Sequence, residues 1–203
     1  MIRPLQLAVF AFLSASVLPA APPGPILTPP AAAAPRINGP RIFGVRPGSQ
    51  IVHALAVSGQ RPMTLVVTPL PAGLTFDPAT GAFGGALEKP GDYELQVVAT
   101  NAAGSARGKL RIVVGDHIAL TPPMGWSSWN CWGAGVSQEK VLSSARAMAA
   151  SGLREHGWNY VNIDDGWQGR RSGPDLALQP NGKFPDIKSL ADEIHRLGLR
   201  FGL

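Results

Sequence analysis

The sequence has little cysteine, little charge and no long apolar run suited to a membrane helix. One cysteine in 203 residues excludes an internal disulfide framework, so packing must stabilise the fold. The charged fraction of 15% is below the ~25% of typical domains and argues against a charge-driven disordered chain or a coiled coil. The net charge of +5 is spread without a basic run, so we expect no nucleic-acid partner.

Tryptophan is absent from the first 120 residues, and all five tryptophans lie in residues 121–203. Length alone allows one or two domains, and this uneven distribution favours two. The 24 glycines and 20 prolines follow no Gly-X-Y period, which excludes a collagen-like chain. An apolar content of 45% is sufficient for a packed core. We therefore expect two globular parts joined in one chain.

The first 21 residues have the pattern of a secretory signal peptide. Arg3 gives a weakly positive start, Leu7–Leu13 is an unbroken apolar run, and Ala20 and Ala21 offer small residues for cleavage. The run is shorter than the ~20 residues of a membrane span. We expect a secreted protein with no membrane partner after cleavage, and an uncleaved anchor is the alternative. Residues 22–35 contain six prolines and predict an extended linker.

Residues 36–115 alternate apolar and polar side chains, as half-buried strands do. In one such strand Leu95 and Val97 fall on one face, with Glu94 and Gln96 opposite. Turn pairs such as Pro-Gly and Gly-Gly separate the short strands, so the pattern predicts an all-β sandwich. The run 70–81 and the later run 91–104 resemble bacterial Ig-like modules, and the resemblance covers most of 38–114. It implies a spacer or a weak binder.

We expect no metal or other cofactor. Asp77 and Asp92 are the acidic residues of the first module that could suggest calcium, but no convergent set of oxygen ligands accompanies them. Both are better interpreted as turn residues. Cys131 has no histidine with an orienting group nearby, which favours a buried structural cysteine over a nucleophile.

Residues 117–203 change to alternating strand and helix patterns. One predicted helix is capped by Ser137 and stops at Gly152, and a second is capped near Ser189. A polar loop, 166–188, precedes the second helix. The order β-α-β-α-β predicts a parallel sheet with right-handed crossovers. The predicted strands are 124–126, 160–163 and 199–203.

Two clusters follow the first two predicted strands of this module, at the ends where parallel α/β folds bind ligands. The first is 126–130, Trp-Ser-Ser-Trp-Asn, and the second is 164–167, Asp-Asp-Gly-Trp. Aromatic faces beside carboxylates suit a sugar, because C–H faces pack on the rings and hydroxyls donate to the acids. The alternatives are that Trp126 belongs to the core and that Asp164 and Asp165 cap a loop or helix.

Four segments of this module, in order and spacing, resemble the family 27 glycoside hydrolases, the α-galactosidase (melibiase) family. The resemblance covers about 118–203 and implies a retaining exo-α-galactosidase with a (β/α)₈ barrel, followed by a β-domain, that acts on α-galactoside glycans. It implies that Trp129 packs on galactose and that Asp164 and Asp165 accept hydrogen bonds from the 4- and 6-hydroxyls. Trp126 and Trp167 would wall the pocket. The segments are 121–130, 160–167, 184–186 and 191–202.

The two adjacent aspartates do not suit the catalytic pair. A retaining enzyme places two carboxylates about 5 Å apart on opposite sides of the scissile bond, which Asp164 and Asp165 cannot easily flank. In the family, the nucleophile and the acid/base lie on later strands. A complete barrel needs about 200–250 residues, whereas 121–203 has 83. We expect a barrel truncated in its third strand, with no catalytic residue and no activity of its own.

Three alternatives remain open at this stage. The same fold could act on α-N-acetylgalactosaminides or β-L-arabinopyranosides, because the pocket around the 2- and 5-substituents lies outside this sequence. A non-catalytic carbohydrate-binding or surface protein would place the function in the first module.

One departure from the family concerns a disulfide that many members form near the site: the matching positions here are Ala134 and Gly166, so these loops are expected to be less tethered.

Overall fold

The structure, a computed structural model, describes residues 31–203. The predicted signal peptide and most of the predicted linker lie outside the described residues. Within the described residues, no helix is long and apolar enough to cross a membrane.

The first module contains nine strands. A four-stranded sheet has the order β2-β9-β8-β5, a three-stranded sheet has the order β3-β7-β6, and β1 pairs with β4. The long hairpin β8–β9 pairs in register over its whole length, and β2 joins β9 in parallel. The strands are β1 (Arg36–Asn38), β2 (Ile42–Val45), β3 (His53–Ala54), β4 (Ala56–Ser58), β5 (Thr64–Thr68), β6 (Leu74–Phe76), β7 (Ala82–Gly85), β8 (Gly91–Asn101) and β9 (Gly104–Val114).

The two larger sheets share one core, which confirms the expected sandwich. Leu95 and Val97 of β8 are buried, whereas Glu94 and Gln96 face solvent. From the other sheet, Phe83 packs into the same cluster. Period-two alternation thus places one face of each sheet inward, as half-buried strands require.

The turn role predicted for Asp77 is observed, whereas that predicted for Asp92 is wrong, because Asp92 lies within strand β8. Asp77 accepts hydrogen bonds from the backbone N–H of Ala79 at 2.9 Å and from the hydroxyl of Thr80 at 2.6 Å. These bonds, with that from Thr80 first, lower the pKa of the Asp77 carboxyl. Asp92 pairs with Arg111 across the β8–β9 ladder. No group of three or more histidine, cysteine, aspartate or glutamate side chains suited to a metal occurs in 31–203.

The second module is built on a three-stranded parallel sheet of order β10-β11-β14. Helices connect its strands, as the β-α-β-α-β pattern predicted. The sheet does not close into a barrel within the described residues, so the barrel itself stays a prediction. The elements are β10 (Gly125–Ser127), α1 (Trp129–Trp132), α2 (Gln138–Ala150), β11 (Tyr160–Asn162), β12 (Gln168–Ser172), β13 (Ala177–Pro180), α3 (Ile187–Arg196) and β14 (Arg200–Gly202).

Strand β10 lies very close to β11 at one glycine. A Cβ on Gly125 would lie 2.0 Å from the carbonyl oxygen of Tyr160, well inside van der Waals contact. Only glycine therefore allows this approach. Below the sheet, Val141 of α2, Val161 of β11 and Ile194 of α3 share one buried cluster, as the helical periodicity predicted.

The helix caps agree with prediction in one case and differ in the other. Ser137 caps α2, and its hydroxyl accepts a hydrogen bond from the N–H of Lys140 at 3.4 Å. The cap of α3 is Asp186 rather than Ser189, since the Asp186 carboxylate accepts from the N–H of Ser189 at 2.8 Å. Asp186 precedes the helix and has a non-helical backbone conformation, so its carboxylate can accept a bond from the first turn. Ser189 already lies in that turn, where its backbone N–H is a donor that needs a cap.

The region predicted as a polar loop, 166–188, contains the antiparallel hairpin β12–β13. Most of its residues are exposed on both faces, so it lacks the apolar alternation from which a strand is predicted. Its tip places Leu176 at a φ of 52° with 62% of the residue exposed. The hairpin projects into solvent directly after the second candidate cluster.

Candidate functional site

The carboxyl ends of the first two parallel strands bring the predicted clusters to one edge of the sheet. The register pairs Ser127 of β10 with Asn162 of β11, and Asn162 in turn with Gly202 of β14. The Trp129 cluster, residues 126–130, includes the end of β10 at this edge, and the Asp164 cluster, residues 164–167, follows the end of β11 at the same edge. The strand ends therefore place an aromatic cluster and an acidic cluster side by side, as expected of a parallel fold.

Ser128 joins the two clusters. The residue is fully buried, and its hydroxyl accepts a hydrogen bond from the backbone N–H of Asp164 at 3.0 Å. Its own N–H donates to the carbonyl oxygen of Asn162 at 3.1 Å. Sequence reasoning missed this positioning role, because serine in a strand-end motif has no pattern that separates a buried link from a solvated hydroxyl.

Asp164 and Asp165 both present exposed carboxylates at this edge. One oxygen of each accepts a local backbone bond: Asp164 from the N–H of Asp165 at 2.8 Å, and Asp165 from the N–H of Gly166 at 2.7 Å. Within residues 31–203 the second oxygen of each carboxylate has no hydrogen-bond partner. Two acceptors that are held locally and still open outward suit a ligand rich in hydroxyl groups.

Two tryptophans of the short helix α1 are exposed near the acids in the fold. Trp129 is 46% exposed and Trp132 is 40% exposed. The ammonium of Lys140 lies 4.9 Å from the centre of the Trp132 ring, which holds that ring by a cation–π contact. Trp129 has no such contact in the described part of the chain, and its indole face remains open to pack against an apolar sugar face.

The other two predicted aromatic residues are more enclosed. Trp126 is half-buried, packs against the core of the second module and donates its indole N–H to the Cys131 sulfur at 3.3 Å. This packing favours the core interpretation that the sequence left open. Trp167 is likewise half-buried against the same core. Sugar contact by either residue stays a prediction.

Cys131 is exposed, so the expectation of a buried cysteine is wrong. Cysteine is among the residue types most often buried, but here it lies in a four-residue helix without buried residues. Its position in this short exposed helix, rather than the residue type, decides its exposure.

The loops around the site are tethered by hydrogen bonds. Asn181, at the base of the hairpin, donates its side-chain amide to the carbonyl oxygen of Gly166 at 2.8 Å, and Lys183 donates to that of Ala134 at 2.6 Å. A Cβ on Gly166 would lie 3.4 Å from the Cα of Ala134, so the two positions matched to the family's disulfide are neighbours. These bonds connect the same loops without sulfur, and the weaker tethering expected without the disulfide stays a prediction.

The arrangement can bind hydroxyl groups and an apolar ring face, and it does not resemble an acid–nucleophile pair. Asp164 and Asp165 leave the same strand end on one side of any bound sugar, whereas retaining hydrolysis needs carboxylates on both sides of the bond. The exposed carboxylate oxygens and the open indole face at this edge suit a polyhydroxylated ligand.

Comparison with protein families gives two matches along the chain. Residues 25–115 match the family described as "Putative Ig domain", and residues 121–203 match the family described as "Alpha galactosidase A". The second match begins four residues before β10 and includes the whole parallel sheet.

Individual relatives agree with the family matches. An "Alpha-galactosidase A" from Cellvibrio japonicus is 39% identical over 89 residues, which are 43% of this chain and 22% of that protein. Two solved structures from Bacteroides fragilis, described as a "putative alpha-galactosidase" and a "putative alpha-galactosidase/melibiase", are 42% and 39% identical, each with a TM-score of 0.76 over 83% of this chain and 36% of theirs.

The structural matches cover both modules, because 83% of the chain is more than either module contains alone. The chain spans less than a quarter of the length of the curated relatives it matches. The chain thus combines a region similar to Ig-like domains with a region similar to part of the alpha-galactosidases.

Proposed function

We propose that this chain carries the galactose-binding edge of a secreted, retaining glycoside hydrolase that removes terminal α-D-galactosyl residues from oligo- or polysaccharides. The observation that carries the proposal is the joining of the Trp129 and Asp164 clusters at one sheet edge by the buried hydroxyl of Ser128. The match of residues 121–203 to the alpha-galactosidase family supports it. Secretion rests on the signal-peptide pattern of the first 21 residues.

In this proposal Asp164 and Asp165 accept hydrogen bonds from the 4- and 6-hydroxyls, and Trp129 packs on the ring. The axial 4-hydroxyl distinguishes galactose from glucose, so a carboxylate that holds it supplies specificity. No residue of the described chain is assigned as nucleophile or acid/base. The chain by itself is therefore expected to bind galactosides without hydrolysing an aryl α-galactoside.

We also propose that β10, β11 and β14 are the first three strands of a (β/α)₈ barrel. Their parallel, in-register order with helical crossovers supports this. So does an apolar groove of about 550 Å³ beside β10, whose lining includes Trp126, Met148 and Trp158. A neighbouring βα unit of a barrel would pack in that position.

The test is a titration of the 203-residue chain with methyl α-D-galactopyranoside, followed by ¹H–¹⁵N NMR. We expect shifts at the Trp129 indole N–H and at the amides of Asp164 and Asp165, and smaller shifts with methyl α-D-glucopyranoside. Asp164→Asn should weaken binding roughly tenfold or more, because a charge-assisted hydrogen bond contributes about 1.5–3 kcal/mol. The matched control is Asp116→Asn, which alters an exposed carboxylate in the segment between the modules.

Binding of neither glycoside, or equal shifts with both, would overturn the proposed galactose site. Hydrolysis of an aryl α-galactoside by the chain would overturn the assignment of Asp164 and Asp165 to binding alone. Unchanged affinity in Asp164→Asn would contradict its role with the 4- or 6-hydroxyl.

A further inference from the structure

The Ig-like domain packs against the amino-terminal ends of the parallel strands, at the opposite end from the candidate site. Arg200, the first residue of β14, provides the central contact. One guanidinium nitrogen donates to the hydroxyl of Tyr160 on β11, and another donates to Nδ1 of His53 in the Ig-like domain at 3.0 Å. One side chain thus connects two parallel strands to the neighbouring domain.

The Ig-like domain receives this guanidinium in an aromatic pocket. Arg200 lies 4.3 Å from the ring centre of Phe43, and cation–π contacts of this kind strengthen when they are desolvated. His53 stacks between Phe43 and Phe83, at centroid distances of 5.0 and 5.8 Å. Only 7% of His53 is exposed, so its ring orientation is fixed by packing on both faces.

His53 is suited to accept the hydrogen bond because it stays neutral. Burial, followed by the charge of Arg200, lowers the pKa of His53 to about 3. A neutral imidazole has one ring nitrogen free as an acceptor, and Nδ1 is the nitrogen that faces the guanidinium. A protonated ring would instead have placed two cations in contact.

A second set of contacts fixes the same two bodies a short distance away. The side-chain amide of Asn38 donates across the interface to the carbonyl oxygen of Glu155 at 2.9 Å. Its bond to the hydroxyl of Ser58, also at 2.9 Å, lies within the Ig-like domain and holds the amide in place. Beside it, a Cβ on Gly157 would lie 2.9 Å from the Cα of Gly39. The two glycine backbones therefore approach too closely for a solvent layer to lie between the domains at this point.

We propose that the Ig-like domain is a docked support for the parallel sheet, held by Arg200 in the pocket of Phe43 and His53, and that the two modules unfold as one cooperative unit. The resemblance at the sequence level had implied a spacer or a weak binder instead. Arg200 is the first residue of β14, and Gly202, the last, lies beside the candidate site. The docking therefore fixes the amino-terminal end of a strand whose carboxyl end lies next to that site. This inference does not depend on the proposed sugar specificity.

The experiment compares unfolding of the two modules within the 203-residue chain. Because every tryptophan lies in residues 121–203, fluorescence in urea reports on the second module alone. Hydrogen exchange measured by mass spectrometry on peptides from 53–58 and 91–114 reports on the Ig-like domain at the same urea concentrations. We expect coincident midpoints for the wild type.

Arg200→Met keeps the length and apolar packing of the side chain but removes its charge and donors. We expect it to separate the two midpoints and to speed exchange in 53–58 roughly tenfold or more, since hydrogen bonds to charged groups contribute about 1.5–3 kcal/mol. Faster exchange in the Ig-like domain distinguishes docking from a role confined to the parallel sheet. Arg111→Met is the matched control, because Arg111 is exposed on the outer face of β9 and should leave the midpoints together.

His53→Phe tests the same contact from the other domain and keeps the aromatic stack. It should loosen the second module, with faster exchange at 157–162, even though the substitution lies outside that module. Separate midpoints in the wild type would overturn the proposal, as would wild-type behaviour of both Arg200→Met and His53→Phe. If Arg200→Met does not fold, unchanged hydrogen exchange at 157–162 in His53→Phe is sufficient to reject the proposed docking.

Discussion

The buried hydroxyl of Ser128 accepts a hydrogen bond from the backbone N–H of Asp164 at 3.0 Å, although the two residues are 36 positions apart in the sequence. This bond ties the end of the first parallel strand to the start of the acidic cluster. The neighbouring residue, Ser127, is exposed and makes no comparable link in the described structure. The pair therefore offers two adjacent serines with different expected roles.

Replacing Ser128 with alanine should lower the free energy of unfolding by about 1–3 kcal/mol, because the N–H of Asp164 loses its partner. Ser127→Ala should stay within about 0.5 kcal/mol of the wild type, as exposed substitutions usually do. Urea unfolding followed by tryptophan fluorescence measures both. Equal stability of the two variants would show that the Ser128 bond contributes nothing to the fold.

Asp186→Ala should destabilise the chain by about 1 kcal/mol, since it removes the side-chain cap of α3. Ser189→Ala is the direct comparison, because the sequence predicted the cap near that residue. We expect Ser189→Ala to have little effect in the same urea titration. A larger loss of unfolding free energy for Ser189→Ala than for Asp186→Ala would show that Ser189 is the cap, as the sequence predicted.

The charge state of His53 predicts a pH dependence of stability. Its pKa is about 3 in the folded chain and about 6.5 when unfolded, so below pH 6.5 the unfolded state binds a proton that the folded state does not. Stability should therefore fall as the pH is lowered, by about 2 kcal/mol between pH 7 and pH 5 from this residue. The charged and titratable groups around His53 are Arg200, which also donates to the hydroxyl of Tyr160, and His195. Both Arg200 and His195 line the same pocket as His53.

Burial also lowers the pKa of His195, so it acts in the same direction and must be separated from His53. The comparison of wild type with His53→Phe does this, because His195 is present in both. The variant should lose less stability than the wild type between pH 7 and pH 5. Parallel stability curves for the two proteins would contradict a neutral buried His53.

Gly125→Ala should strongly destabilise the second module, because the added Cβ would lie 2.0 Å from the carbonyl oxygen of Tyr160. Overpacking of this kind costs about 3 kcal/mol. Gly115→Ala is the control, since a Cβ there would have no neighbour within 4 Å. Soluble yield and the thermal midpoint are the measurements, and similar midpoints for both variants would show that β10 and β11 can move apart.

Local patterns predicted the elements whose burial follows a simple period. The alternation through Leu95 and Val97 identified a sandwich strand, and Ser137 identified the start of α2. The hairpin β12–β13 was missed because Arg170, Arg171 and their neighbours are exposed on both faces, which removes the signal that marks a strand.

Long-range contacts account for what the sequence could not predict. The placement of Asp164 and Asp165 at a strand end followed from the order of elements, but the link through Ser128 depends on register between strands. The contact of Arg200 with His53 joins residues 147 positions apart. Neither residue lies in a pattern that connects it to the other, so only the packed structure reveals the pair.

The hairpin β12–β13 has a consequence for how this architecture can diversify. Its base is fixed by Asn181, whereas its tip, around Leu176, contacts mainly solvent. Insertions and deletions are best tolerated at such exposed tips. The rim beside the candidate site can therefore lengthen or shorten across generations while the parallel strands are preserved, so access to the proposed sugar site can evolve separately from the strand ends that form it.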